Sequence, residues 1–185
     1  MKKILFFLTL FIAVLSTPSY AQTGTIPMPT LSLTPTPAPT IIIYELPYPG
    51  ILPGSPLYTL KALRDRITEI FTSDPVKKAN FYLLQADKRL AAALILSERG
   101  EGELAETTLS KSQNYLEKSI NKMIETKKSR ENVGDIFAKL KNSSAKQRQE
   151  IEILSKKAKG EEAQKLIADY KRAQQLENRV NSFDP

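Results

Sequence analysis

Apolar residues spaced three and four apart form the main pattern of this chain. The pattern begins at Leu57 and recurs in five stretches. Such spacing places apolar side chains on one face of an α-helix. It predicts helices over about residues 55–72, 74–99, 103–129, 132–159 and 161–180. Short connections favour antiparallel neighbours. The predicted fold class is therefore all-α, an antiparallel helical bundle of about four to five helices.

Start and stop signals support these bounds. Ser55-Pro56 and Asp74-Pro75 each combine a side-chain oxygen that can cap a first turn with a proline at the first helical position. Gly100 is a candidate cap for the end of the second helix. That helix is apolar around most of its circumference near its end, so we expect it to be the central one. Asn142-Ser143-Ser144 interrupts the fourth pattern and predicts a kink or break there.

The stretch Glu45–Arg66 joins a proline-rich leader to the helices. Its pairs Pro49-Gly50 and Pro53-Gly54 are typical of type II turns, because proline fixes φ and glycine accepts the positive φ that follows. We expect two turns and an apolar clasp, packed as a Pro-rich cap loop over the bundle. The alternative is an aromatic and proline surface that binds a ligand, whose candidate residues are Tyr44, Tyr48, Pro49 and Tyr58.

Residues 1–21 have the features of a secretory signal peptide. Lys2 and Lys3 precede the apolar run Ile4–Leu15, which is too short to span a bilayer comfortably. Small residues follow, and cleavage is predicted between Ala21 and Gln22. An uncleaved N-terminal anchor is the alternative. We expect no transmembrane span in the mature chain.

Residues 22–44 carry no charge and are rich in threonine and proline. This composition favours an extended, disordered tether and cannot bury a core. The remaining chain, residues 45–181, is predicted to be the helical domain. We divide it into a core over residues 45–100 and a helical extension over residues 101–181.

Composition narrows the chemistry further. The chain has no cysteine and no histidine, so it lacks thiolates and the most frequent general base and metal ligand. We expect no cofactor and no metal site. The formal charge of +7 permits weak attraction to anionic envelope polymers, although basic and acidic residues alternate along the helices. Nucleic acid is an unlikely partner. Such a role would need aromatic residues among the basic residues of one face, whereas Tyr82, Tyr115 and Tyr170 have the spacing of core residues, and the export signal argues against it further.

The remaining catalytic spellings are weak. Ser119 with Lys122 and Ser143 with Lys146 match S-x-x-K without the companion motifs of that enzyme class. A hydrolase would need a carboxylate pair, drawn from Asp65, Glu69, Asp87 and Glu98. Salt-bridged helix surfaces are the simpler interpretation. An ion pair between the groups 64–66 and 87–89 is one possibility.

Three segments carry a resemblance to a known family. They are LPYPGILPGSPLYTLK over Leu46–Lys61, the break Phe71–Pro75, and ADKRL over Ala86–Leu90. Together they resemble an uncharacterised bacterial domain family found in exported proteins, with an LP-x-PG-x-LP-x-SPLY-x-LK signature. The resemblance is dense over residues 46–100 and implies an all-α exported domain. It supplies no function and no site residue. Gly54 departs from the acidic or polar residue common in that family.

These observations favour a non-enzymatic exported domain that binds or scaffolds at the cell envelope. Its location would be periplasmic, cell-surface or extracellular, and its partner an envelope protein or an anionic envelope polymer. Two alternatives stay open. One is a carboxylate-dependent hydrolase of envelope polymer. The other is a binder of anionic membrane surfaces that uses basic helix ends.

Overall fold

The computed structural model describes residues 42–128 and 134–183, all of which belong to the compact unit formed by residues 40–185. These residues form five helices and no strand: α1 (Tyr58–Phe71), α2 (Pro75–Glu98), α3 (Gly102–Lys128), α4 (Gly134–Lys157) and α5 (Gly160–Asn181). The prediction of an all-α bundle is confirmed. The predicted signal peptide, its cleavage site and most of the Thr/Pro tether lie outside the described residues.

One predicted helix start is confirmed and the other is wrong. Asp74 caps α2, because its Oδ1 accepts a hydrogen bond of 2.7 Å from the amide of Lys77. Helix α1 instead begins at Tyr58, after Leu57, and has no side-chain cap. Ser55 is a turn residue: its amide donates to the carbonyl of Leu52 at 3.2 Å. The backbone of Ser55 is therefore still reversing direction where we expected it to start a helix.

Helix α4 runs without interruption through residues 142–144, so the predicted break is wrong. Ser143 and Ser144 are buried. Each hydroxyl finds a hydrogen-bond acceptor while the backbone stays helical. Ser143 Oγ donates to Asp87 Oδ1 at 2.5 Å, and Ser144 Oγ donates to the Lys141 carbonyl at 3.0 Å. Serine interrupts helices when its hydroxyl competes for local backbone groups, and the bond to α2 removes that competition for Ser143.

Helices α2 and α3 form the closest pair, and small residues make their contact possible. The hydroxyls of Ser112 and Ser119, seven residues apart on α3, donate at 2.7 Å to the carbonyls of Ala86 and Ala79 on α2. The reversed order is that of an antiparallel pair. All four side chains are buried. Side chains this short let two helix backbones approach closely enough for a serine to reach across.

Helix α2 is packed on several sides, as expected, and α3 is packed on several sides as well. Helix α3 meets α2, α4 and α5. Helix α2 packs against α3 and α4, and its remaining side meets residues 42–57 and α1. All four long helices supply the larger apolar cluster, whose buried members are Ala79, Leu83, Ala86, Leu116, Ile120, Met123, Ile136, Leu140, Leu176 and Val180. A second cluster lies near the other end and is centred on Leu90, Leu109 and Ile151.

Buried polar groups join α5 to this body. The side-chain amide of Gln113 donates to the backbone carbonyl of Asp169 at 2.7 Å. The carboxyl group of Asp169 is itself buried. Burial, together with the nearby negative charge of Glu106, raises the pKa of Asp169 to about 6. A carboxylate in this position destabilises the fold above that pH.

Substituting Ala86 tests the close approach of α2 and α3. We expect Ala86→Leu to lower the free energy of unfolding by about 1–3 kcal/mol or more, because added methylenes in a filled interface force the helices apart. Urea denaturation measures this effect. Ala138→Leu, at an exposed position of α4, is the control and should change stability little. Wild-type stability of the Ala86→Leu protein would show that the two helices are not tightly packed.

Substituting Asp169 tests the buried carboxyl group. Its pKa is about 6 in the folded chain and 3.8 in the reference state. The folded state therefore binds more protons between these values, and stability falls as the pH rises through this window. At pH 7 Asp169→Asn should raise the free energy of unfolding, by at most about 3 kcal/mol, and flatten its pH dependence. The exposed Glu98→Gln should preserve the wild-type slope, and an equal slope in both variants would contradict the assignment.

Candidate functional site

The joining segment, residues 42–57, is held to the helical body by hydrogen bonds at its start. The amide of Ile42 donates to Gln149 Oε1 on α4 at 2.8 Å. The hydroxyl of Tyr44 donates to Asp87 Oδ2 on α2 at 2.6 Å. Ser143 of α4 donates to the other oxygen of the same carboxylate. Asp87 thus ties the joining segment to two helices at once.

The hydrogen bond between Tyr44 and Asp87 and its burial change the pKa values of both groups. Burial raises the pKa of Asp87, although the hydrogen bonds from Ser143 and Tyr44 partly offset this effect. Burial and the bond to Asp87 also raise the pKa of Tyr44 well above its ordinary value. The Tyr44 hydroxyl therefore keeps its proton at any physiological pH. Its role in this geometry is to hold the segment in place.

Lys61 holds the next part of the joining segment. Its ammonium donates to the carbonyls of Pro49 at 2.6 Å and Ile51 at 3.0 Å. Gly50, between them, has a φ of +72°, which brings both carbonyls to one side. The ammonium also lies 5.7 Å from the centre of the Tyr58 ring. Burial lowers the pKa of Lys61 despite the neighbouring carboxylate of Asp65.

Two of the four candidate binding residues share a partner, and the other two do not. Lys61 brings Pro49 and Tyr58 together, and Pro49 is buried. Tyr44 bonds to Asp87, whereas Tyr48 is 81% exposed. A ligand surface built from these residues stays a prediction.

Helix α1 turns its polar side towards the body. Asp65 is buried and accepts a hydrogen bond of 2.8 Å from Nη2 of Arg64. Glu69 Oε1 accepts from the hydroxyl of Tyr82 on α2 at 2.9 Å and from the ammonium of Lys118 on α3 at 3.3 Å. The ion pair that α1 makes with the body is thus Glu69–Lys118, not the one between residues 64–66 and 87–89 that we considered.

The environment of Glu69 favours its charged form. Burial alone would raise the pKa of Glu69, but the bond from Tyr82 and the charge of Lys118 outweigh burial and lower it. Conversely, burial and the bond to Glu69 raise the pKa of Tyr82 to about 12. At neutral pH Glu69 is therefore an anion that accepts from a protonated Tyr82. This contact locks one rotation of α1 about its own axis.

Aromatic rings and cationic side chains of α2 and α3 stack next to the contact between Glu69 and Lys118. The rings of Tyr82 and Tyr115 lie 6.1 Å apart, tilted by 48°. The ammonium of Lys118 lies 5.3 Å from one ring centre and 5.0 Å from the other. The guanidinium of Arg89 covers the Tyr115 ring at 4.1 Å. These cation–π contacts fix Lys118 where Glu69 needs it.

The apolar side of α1 faces away from the body and forms what we call the outer face. Its exposed fractions range from 46% at Ile67 to 81% at Phe71. The other members of the outer face are Leu57, Leu60, Leu63 and Ile70, which are 57–65% exposed. The apolar face that the spacing predicts for α1 is therefore turned to solvent. Of the earlier apolar residues, Leu46 does pack against the second core cluster.

The candidate catalytic residues are occupied by other contacts. The hydroxyl of Ser119 donates to a backbone carbonyl and that of Ser143 to Asp87. Their partners in the S-x-x-K spellings form ion pairs with Glu125 and Glu150. Among the candidate carboxylates, Asp65, Glu69 and Asp87 are the acceptors described above, and Glu98 is exposed at the end of α2.

A different set of carboxylates lines a shallow cleft of about 350 Å³ where α3 and α5 begin. Its charged residues are Glu103, Glu106, Glu161, Glu162 and Lys165. Within residues 42–128 and 134–183, no group of acidic side chains has the arrangement of a metal site. Nor does any helix in that part of the chain combine the length and the apolar character that a membrane crossing requires.

Only part of the information that determines the outer face can be read from the local sequence. Helical spacing identifies which residues share the apolar side of α1, and Asp65 and Glu69 fall on the opposite side. The usual rule directs the apolar side inward. The partners that reverse this rule, Tyr82 and Lys118, lie on other helices and have no local signature.

Comparison with known proteins bears on this site through the family alone. The searches of curated proteins and of solved structures found no significant match. Residues 50–147 match the model of a family described as Domain of unknown function (DUF5667). The match begins at the first turn of the joining segment and includes all of α1, α2 and α3, together with part of α4. The chain therefore belongs to the DUF5667 family, whose members share a domain of unknown function.

Proposed function

We propose that this protein is a non-enzymatic exported domain that docks at the cell envelope through the outer face of α1. The observation that carries the proposal is the orientation of that helix. Six large apolar side chains point to solvent, while the two carboxylates of the same helix are directed inward. A soluble domain usually orients an amphipathic helix the other way.

The exposed apolar side chains would contribute a favourable free energy if a partner buried them. Full burial of a large aliphatic or aromatic side chain contributes about 1.5–3 kcal/mol, and the outer face presents six that are about half exposed or more. Contiguous apolar surface of this kind marks interaction sites on soluble proteins. A partner that covers the outer face would recover this stabilisation without rearranging the helices.

The described chemistry supports docking rather than catalysis. Five of the hydroxyls and carboxylates that could react already act as donors or acceptors between helices: Ser112, Ser119, Ser143, Glu69 and Asp87. The acidic cleft near Glu106 offers carboxylates, but Lys165 lies among them as an ion-pair partner of Glu161 at 3.1 Å. A hydrolase would also need a nucleophile or an activated water, and no arrangement of side chains among the described residues favours either.

Export supports the location. A signal-peptide pattern at residues 1–21 and a Thr/Pro-rich tether would carry a folded domain to the envelope and leave it room to reach a surface. The family resemblance to exported proteins agrees with this placement.

A paired substitution tests the proposal. The protein in its exported form is incubated with washed envelope fractions, and the retained fraction is measured after sedimentation. Ile67→Glu should reduce retention about tenfold, because a carboxylate in the middle of the outer face must be desolvated on docking. Ile167→Glu is the matched control, since Ile167 on α5 has the same exposed fraction of 46%.

The control should bind like the wild type. Circular dichroism and thermal unfolding should show that both variants fold. Equal retention of the two variants would mean that envelope binding does not use the outer face. Absence of retention by the wild-type protein would contradict the proposal as a whole.

A further inference from the structure

We propose that the occupant of the outer face is an anionic lipid surface, against which α1 lies parallel to the membrane plane. This inference rests on the proposed docking function and specifies its partner. It draws on three properties of α1: the distribution of its charges, the shape of its apolar side and its length.

The acidic side chains of α1 face the body, and its two arginine side chains face the solvent. The side chains of its two acids are almost enclosed, with 8% exposure for Asp65 and 12% for Glu69. The side chains of Arg64 and Arg66 are 69% and 68% exposed. A guanidinium has five N–H donors, so each arginine keeps donors towards solvent beyond its bond to a carboxylate. The solvent-facing surface of α1 is therefore apolar and cationic, because its two carboxylates face the body.

The two arginines border the outer face on opposite sides. At about 100° per residue, the helical members from Leu60 to Phe71 span an arc of roughly 100°. Arg64 falls just beyond one edge of this arc and Arg66 just beyond the other. Long basic side chains in this position can extend to phosphate groups while the apolar residues between them enter the acyl region.

The outer face is a ridge. Its side chains are exposed on successive turns of a helix that approaches the body mainly through long polar side chains. The clefts described among residues 97–166 are lined by other residues. A protruding apolar ridge fits a surface that yields to it. Interfacial helices insert an apolar face of this composition by about 5–10 Å into the boundary between headgroups and acyl chains.

Other occupants fit less well. Leu60, Leu63, Ile67 and Ile70 have the spacing of a coiled-coil seam, but α1 has 14 residues, whereas coiled coils are recognised over three to four heptads or more. In a dimer formed through the outer face, Arg64 and Arg66 of one copy would lie close to the same arginines of the other copy, and their positive charges would repel. Neither an added helix nor a dimer therefore satisfies both the length and the charge of the outer face as an anionic bilayer does.

Vesicle flotation tests this inference. The exported form of the protein is mixed with vesicles of phosphatidylcholine alone or with phosphatidylglycerol added, at low and at high salt. We expect flotation with the anionic vesicles at low salt, with severalfold less at high salt or without phosphatidylglycerol, because Arg64 and Arg66 contribute through screened charge. Ile67→Glu should abolish flotation and Ile167→Glu should preserve it.

The arginines are tested by a charge-conserving pair. Arg64→Gln with Arg66→Gln should weaken binding to anionic vesicles about thirtyfold, since each basic residue near such a surface contributes on the order of 1 kcal/mol and a factor of ten corresponds to about 1.4 kcal/mol. Arg64→Lys with Arg66→Lys should retain most of the binding. Thermal unfolding verifies that removal of the arginine partners of Asp65 and Glu69 leaves the domain folded. Equal binding by both double variants would overturn the role of charge.

The vesicle result separates this inference from the docking proposal. If Ile67→Glu lowers envelope retention but the wild-type protein binds no vesicles at low salt, docking stands and the lipid assignment is overturned in favour of a protein or a glycopolymer. If protease treatment of the envelope abolishes retention, the partner is a protein and the lipid assignment again falls. Concentration-dependent dimerisation that Ile67→Glu removes would assign the outer face to a second copy.

Discussion

The contact between Glu69 and its partners on α2 and α3 decides which side of α1 faces the body. Its carboxylate accepts from Tyr82 and from Lys118, and the lysine is itself placed by two aromatic rings. Rotating α1 by half a turn would remove both bonds and leave Lys118 and the Tyr82 hydroxyl facing leucine and isoleucine side chains. Partly buried donors that lose an anionic acceptor are costly, so the polar contact keeps the apolar side outward.

The joining segment makes this orientation possible by fixing where α1 begins. Tyr44 is bonded to Asp87, and Lys61 of α1 reaches back to the carbonyls of Pro49 and Ile51. The chain is therefore tied on both sides of its two glycine turns. A helix that enters from a fixed point and is locked by Glu69 has little freedom to roll. The apolar ridge is a consequence of these polar ties, and its exposure gives the domain a surface for docking.

Local signals predicted most of the fold. Five apolar patterns gave five helices, Asp74 gave the start of α2, and the two Pro-Gly pairs gave positive φ angles of +72° and +89° at Gly50 and Gly54. These features depend on residues near each other in the chain. The predictions that were wrong concern contacts with residues far away in the chain. The bond between Glu69 and Lys118 spans 49 residues, and that between Ser143 and Asp87 spans 56. Periodicity identifies a helix face but carries no information about the groups that face meets.

The most direct measurement of the orientation of α1 uses the absence of cysteine from the chain. Single cysteines at position 67 on the outer face and at position 65 on the inner side can be labelled with a thiol reagent, because no native thiol competes. The structure predicts that Ile67→Cys reacts nearly as fast as it does in the unfolded chain, and that Asp65→Cys reacts at least about tenfold more slowly, because labelling it requires local opening. Fast labelling at position 65 with protection at position 67 would show that α1 buries its apolar side, and would contradict the account.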